Sequence, residues 1–463
     1  MKNVMNSIWN LMKLSAFIFP LSVFVSCSQE EFLPQETTAL QFVVSDFPTF
    51  GEGTQTRVIG TQDEGKTAWA NEDKILVHLY SQKYGDQAVT LTFDAENNTW
   101  ESDGGRLSYL ENETPTITAV YAPDCEIKEG QIALQDGKQY GEAEYILART
   151  TISENSLDIN FESGRTYSRL RIATMPKATL TVSTEGFTPA GTNSEITDAY
   201  TFTVTADENG NAYLYGTFAE GATVSVKQGD VILKDYTFTA EKNPNGTEHN
   251  KSYALDATPV IDGTLGGKAE ATEDDITALV EQLKEYVDNG ITTIIVPGTE
   301  YAMYKSNLGT IPAFAEALYL LTDNSQEESQ YRGTIDLILP DATEIIDFSF
   351  DSANALKSIT LPKVTTVGDG AFYGCQYLGK MTFGSVITEV VEIKSGVFAS
   401  LGIKSDNEAC DLVLNCGQLN AEDKYKPNLE SNVWYIGEWS GETEWKSIIL
   451  THTGECDECK ANQ

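Results

Sequence analysis

Histidine is nearly missing: the 463 residues hold three, His78, His249 and His452. So little imidazole leaves scant material for His-based proton transfer or metal ligation. Positive charge is scarce as well. Lys and Arg number 31 against 69 Asp and Glu, a net charge of −38. Nucleic acid and anionic lipid surfaces both need clustered cations to displace counterions, so no nucleic-acid partner is expected. The chain contains no G-x-S-x-G, no H-E-x-x-H, no Walker loop and no EF-hand spacing. Asp274-Asp275 imitates a carboxylate pair, but it opens a helix, where acids are favoured by the dipole. Asp207-Glu208-Asn209-Gly210-Asn211 loosely resembles a calcium loop, and tight-turn chemistry accounts for it. No enzyme activity, catalytic residue, metal or cofactor is expected.

Long hydrophobic runs are also lacking. Beyond the N-terminus no stretch approaches the ~18 apolar residues of a membrane helix. At the N-terminus, Lys2 and Lys13 precede an apolar stretch from Leu14 to Val25, too short to span a bilayer. It ends in Phe24-Val25-Ser26-Cys27, which resembles a lipoprotein signal, residues 1–26, with Cys27 as the lipid attachment site. Each buried acyl CH₂ contributes about 0.8 kcal/mol, so a multiply acylated Cys27 would hold outer-membrane lipid stably. Ser28-Gln29-Glu30-Glu31 is similar to the tag that sends some lipoproteins to the outer face of the outer membrane. Residues 27–37 are then an acidic tether. Six further Cys (125, 375, 410, 416, 456, 459) would meet a compartment that permits disulfides. Cys410 and Cys416 bracket a strand-like run that separates them by about 20 Å, too far to pair with each other. Cys456-x-x-Cys459 with His452 is half a zinc constellation, and a tail or local disulfide explains it.

What is plentiful is alternation. Hydrophobic residues form 41% and aromatics 10%, enough for folded domains, and the length accommodates two to four. Alternating runs recur from Gln41-Phe42-Val43-Val44 through Lys74 to Leu79, Leu157 to Phe161, Arg169 to Ile172 and Thr223 to Val226. Asn and Gly turns separate them. The fold class expected is mainly β: sandwiches at 38–153 and 154–260, then an α/β leucine-rich solenoid at 272–455. A Gly-rich linker at 261–271 joins them, and 456–463 is a tail. Thr272 caps a helix with Ile276, Leu279, Val280, Leu283 and Val287 on one face, and Asn289-Gly290 ends it.

Next a repeat emerges. Leu337-Ile338-Leu339-Pro340 returns 22 residues later as Ile359-Thr360-Leu361-Pro362, and Asp347, Phe350 and Leu356 return as Asp369, Phe372 and Leu378. Phe398 continues the series after an insertion. A period of this size with one strand per unit is the signature of leucine-rich repeats, whose units bury their apolar faces only by stacking. Strand alternation puts Ile359, Leu361, Met381 and Phe383 inside and Lys357, Ser358, Thr360, Lys380 and Thr382 outside. These five form the candidate ligand face.

Two family resemblances follow. The stretch Ile359-Thr360-Leu361-Pro362-Lys363-Val364 through Gly370-Ala371-Phe372-Tyr373-Gly374-Cys375 resembles BspA-like leucine-rich repeats, which implies a curved solenoid and surface adhesion. Residues 38 to 260 are similar to fimbrillin-like proteins. The residues that carry this are Thr56-Arg57-Val58, Trp69, Asp73 to Val77, Trp100, Ala119 to Pro123, Leu157 to Phe161 and Tyr167 to Ile172. That resemblance implies pilus subunits that join by strand exchange after Arg-directed proteolysis, with Arg57 as the processing site. The function expected is a lipid-anchored adhesin or pilus-associated protein on the cell surface, binding extracellular protein or glycan. Its alternatives are a glycan-capture lipoprotein of a nutrient-uptake complex and a structural envelope protein.

Overall fold

The computed structural model describes residues 40–52, 65–110, 112–153, 155–162, 165–192, 199–239, 241, 246–307, 309–322, 330–384, 410–420, 426–435 and 442–451. Cys27, Arg57, Phe398, His452, Cys456 and Cys459 lie outside them.

The first body begins with β1 (Gln41–Val44) and β2 (Gly51–Glu52). It continues with β3 (Lys74–Ser81), β4 (Gly85–Asp94), β5 (Thr99–Ser102), β6 (Thr116–Tyr121), β7 (Cys125–Lys128), β8 (Gln131–Leu134), β9 (Ile146–Leu147), β10 (Arg149–Ser153) and β11 (Ser156–Asn160). A five-stranded sheet in the order β5-β4-β3-β6-β9 faces a three-stranded one, β1-β11-β10. Between them Ile75, Val77, Leu79, Leu91, Leu157, Ile159 and Phe161 are buried, because period-two alternation turns each toward the other layer. Trp69 packs edge-on to Phe47 and Trp100, with both centroid distances at 4.8 Å.

The boundary expected at 153/154 falls inside this body. β10 and β11 form a hairpin across that turn, from Ser153↔Ser156 to Arg149↔Asn160. The turn chemistry there closes a hairpin and does not link two domains. Leu157 to Phe161, expected to open the second sandwich, instead complete the core of the first.

The second body holds β12 (Ser168–Ala173), β13 (Thr179–Pro189), β14 (Ala199–Thr205), β15 (Asn211–Gln228), β16 (Val231–Thr237) and β17 (Lys251–Asp256). These form one seven-stranded sheet in the order β14-β13-β15-β12-β17-β2, with β16 also on β15. The sheet makes two layers by bending. The β13–β15 register breaks between Glu185 and Phe187, where Gly186 has φ of 71°. A Cβ there would stand 3.2 Å from Ala222 Cα, so the corner needs glycine. Phe187, Phe202, Phe218 and Phe238 fill the space between the layers. The N-terminal segment crosses from one body to the other: β1 runs parallel to β11, and β2 runs parallel to β17.

The third body contains α1 (Glu273–Asp288), β18 (Thr293–Ile295), β19 (Met303–Lys305), β20 (Thr310–Pro312) and α2 (Ala313–Leu320). Its repeats follow as β21 (Ile335–Ile338), β22 (Glu344–Ile345), β23 (Leu356–Leu361), β24 (Thr366–Val367), β25 (Lys380–Phe383), β26 (Asp411–Asn415), β27 (Val433–Tyr435), β28 (Glu442–Glu444) and β29 (Ser447–Thr451). The Thr272 side chain accepts from the Asp275 N–H and Asp275 returns the contact, a reciprocal cap that starts α1 where the sequence indicated. Ile276, Leu279, Val280 and Leu283 cover one end of the apolar core.

The Gly-rich segment 261–271, expected as a linker, is built into this body. Ile261 is 1% exposed, Val260 bridges Ile295, and the Ala271 N–H donates to the Met303 carbonyl. Val231 and Leu233 of the second body join the same core, and the Asp230 N–H donates to Asn289.

Candidate functional site

The repeat sets the geometry of the outward face. β18, β21, β23, β25, β26 and β29 form one parallel sheet in that order. Residues 22 apart stack: the rings of Phe350 and Phe372 lie 5.4 Å apart at 4°. The Asp369 N–H donates to Asp347, the Gln376 N–H to Asn354, and the Lys363 ammonium to Asp341. A ladder of identical contacts at a fixed interval keeps successive strands in register, about 4.8 Å apart.

Four of the five expected face residues fall into two rows across this sheet. Ser358 pairs with Lys380 and Thr360 with Thr382. Ile359, Leu361, Met381 and Phe383 are fully buried behind them, as the alternation required. Lys357 stands beside the first row through a register shift. β21 and β23 pair Ile335 with Leu356 but Asp336 with Ser358, so Lys357 is an extra, exposed residue on the bulged strand. Lys380 is also exposed, while Ser358, Thr360 and Thr382 are half-buried.

Sequence reasoning missed the flanks of this face. Asp336 on one side accepts from the Ser358 hydroxyl. On the other side Lys380 pairs with Asp411, and Asp411 with Ser447, whose hydroxyl donates to the Asp411 carboxylate at 2.7 Å. One row therefore reads Asp336, Ser358, Lys380, Asp411, Ser447. The second reads Ile338, Thr360, Thr382, Val413, Ile449. Asp336 could have been found by extending the 22-residue interval back from Ser358. Ser447 could have been found from the likeness of Trp445-Lys446-Ser447-Ile448-Ile449-Leu450 to Leu356-Lys357-Ser358-Ile359-Thr360-Leu361, whereas Asp411 was hidden by the insertion before β26. The arrangement offers hydroxyls, two lysines and two carboxylates, with Ile338, Val413 and Ile449 in the second row. Such a surface can hydrogen-bond a ligand but provides no activated nucleophile.

Cys125 in the first body and Cys375, Cys410 and Cys416 in the repeat body are buried. Burial pushes Cys125 up to about 11 and raises Cys375 and Cys410 further. Among the described residues, no group of three His, Cys, Asp or Glu is placed to hold a metal ion, and no helix is long and apolar enough to cross a membrane.

Residues 335–407 match the family of the BspA type leucine rich repeat region, with six copies. The repeats are of the BspA type. No curated protein matches the chain. Among solved structures, a fimbrial protein from Bacteroides ovatus is 12% identical, with TM-score 0.24, over 48% of this chain and 48% of its own. A candidate cell adhesion protein from Bacteroides fragilis is 10% identical, with TM-score 0.23, over 47% of this chain and 92% of its own. A candidate adhesin from Bacteroides ovatus is 10% identical, with TM-score 0.23, over 55% of this chain and 96% of its own. At such scores the account of the two β bodies rests on their own strand order.

Proposed function

We propose that this protein is a lipid-anchored surface adhesin that binds an extracellular protein or glycan through the outward face of its BspA-type repeats. The observation that carries this reading is the row Asp336, Ser358, Lys380, Asp411 and Ser447 on the parallel sheet, polar and regular, standing on a buried apolar core. Rigid presentation lowers the ordering cost of binding, which favours recognition by many modest contacts. The test is adhesion of cells or beads displaying wild type or the Lys357→Glu/Lys380→Glu pair. Both positions are exposed, so the fold should persist. Adhesion falling about tenfold, some 1.4 kcal/mol, supports the face; undiminished adhesion discards it.

One observation favours assembly with other subunits of the same kind. The segment before Arg57 is woven through both β bodies. Phe47 is buried, the Trp69 indole donates to the Ser45 carbonyl, and Arg165 stacks on Phe50 at 3.9 Å. Proteolysis at Arg57 would free that segment together with the Cys27 anchor, so this route is an alternative to permanent tethering; it would leave an open apolar groove, which a strand from a second subunit would fill by backbone pairing. Arg57→Ala should preserve surface display and abolish polymers on native gels; equal polymer yield refutes this assembly route.

A further inference from the structure

A cavity of about 600 Å³ lies where the first two β bodies meet, away from the repeat face. Domain junctions are a common place for ligand sites, and this volume falls in the usual range of ~300–1,000 Å³. Tyr213 and Tyr215 come from successive outward positions of β15 and stack with centroids 6.4 Å apart at 30°. Tyr121 enters from β6, opposite them. Its phenol stays neutral far above its ordinary range, because burial and the Asp73 carboxylate oppose ionisation. It accepts from the Lys66 ammonium at 2.9 Å.

The charges around the cavity are largely matched in pairs. Lys66 bonds Asp73, Lys138 meets Asp124 at 3.0 Å, and Arg165 holds Glu144 at 2.9 Å. Arg169 stacks on Tyr213 at 5.4 Å. Paired charges give little attraction for an ionic guest, yet their oxygens and N–H groups still exchange hydrogen bonds. Tyr121 itself is buried beneath Lys66, so the stacked rings of Tyr213 and Tyr215 beside such groups are what match a molecule with apolar C–H faces and a rim of hydroxyls.

We infer that the junction cavity is a second binding site, separate from the repeat face, that takes a short neutral oligosaccharide against Tyr213 and Tyr215. Thr203 and Thr205 are exposed side chains of β14 on the cavity wall, so Trp at either position would fill the cavity without touching a core residue.

The test titrates the full chain calorimetrically with neutral gluco-, manno- and galactotrioses, and with sialyllactose as an anionic comparison. At least one neutral trisaccharide should bind saturably below about 10 mM, and Thr203→Trp and Thr205→Trp should each weaken it about tenfold or more. The Lys357→Glu/Lys380→Glu pair, on the repeat sheet, should leave binding unchanged. No saturation by any neutral trisaccharide overturns the inference. So does preference for sialyllactose, survival of binding in both Trp variants, or loss of binding in the repeat-face pair. That last outcome would place the saccharide on the repeats instead.

Discussion

Phe372→Ala tests whether the stacked phenylalanines hold the repeats together. Phe372 is fully buried and its ring lies 5.4 Å from that of Phe350, nearly parallel at 4°. Phe→Ala in a core costs ~3–5 kcal/mol, and the cost rises when the site cannot collapse around the cavity. Here collapse is resisted by the backbone ladder: the Phe350 N–H donates to the Ala371 carbonyl and the Phe348 N–H to Asp369, both at 2.8 Å. A loss of about 4 kcal/mol is therefore expected. With an m-value of about 2 kcal/mol per M, the urea midpoint of the repeat body should drop by about 2 M. Hydrogen exchange read by mass spectrometry assigns the loss to a region. Protection should fall across 335–384 and remain across β3 to β6, because stacked repeats couple mainly to their neighbours. A midpoint shift under about 0.5 M, or equal loss of protection in the first body, would refute the stacking argument.

Gly370 has φ of 59°, and a Cβ there would meet Phe348 Cε1 at 2.5 Å. Gly370→Ala should thus cost more thermal stability than Gly104→Ala, whose φ is 89° but whose Cβ would meet nothing within 4 Å; equal losses would contradict the contact. Asp275 is held down to about 2 by the hydrogen bond from Lys268, with the Thr272 N–H and hydroxyl adding to it. A depressed folded-state value means its contribution is complete above the unfolded value of 3.8 and disappears as pH falls toward 2. Asp275→Asn should lower the melting temperature at pH 7 and have progressively less effect below pH 3.8; a pH-independent difference would refute the linkage.

The repeat body was the most legible part of the sequence. Asp347 with Asp369 and Phe350 with Phe372 recur because each sits at the same point of a stacked unit, so one interval predicts both burial and hydrogen bonding. The first helix was legible for a local reason: Thr272 and Asp275 form its cap without help from distant residues. The domain boundary was not. The turn between Ser153 and Ser156 has the composition of a linker or a hairpin, and only the packing of Leu157 and Phe161 decides between them. The bend in the second body was written faintly, as Gly186 and Gly221 inside strands. The proposed ligand face was half legible. Alternation assigned Ser358, Thr360, Lys380 and Thr382, but Asp411 and Ser447 join it through pairing that crosses an insertion.

The proposed adhesin role requires lipid to hold the chain on the outside of the cell. Surface labelling of intact cells expressing wild type or Cys27→Ala measures this directly. Wild type should label at the outer face and the variant should lose that signal; equal labelling of both would contradict the anchor.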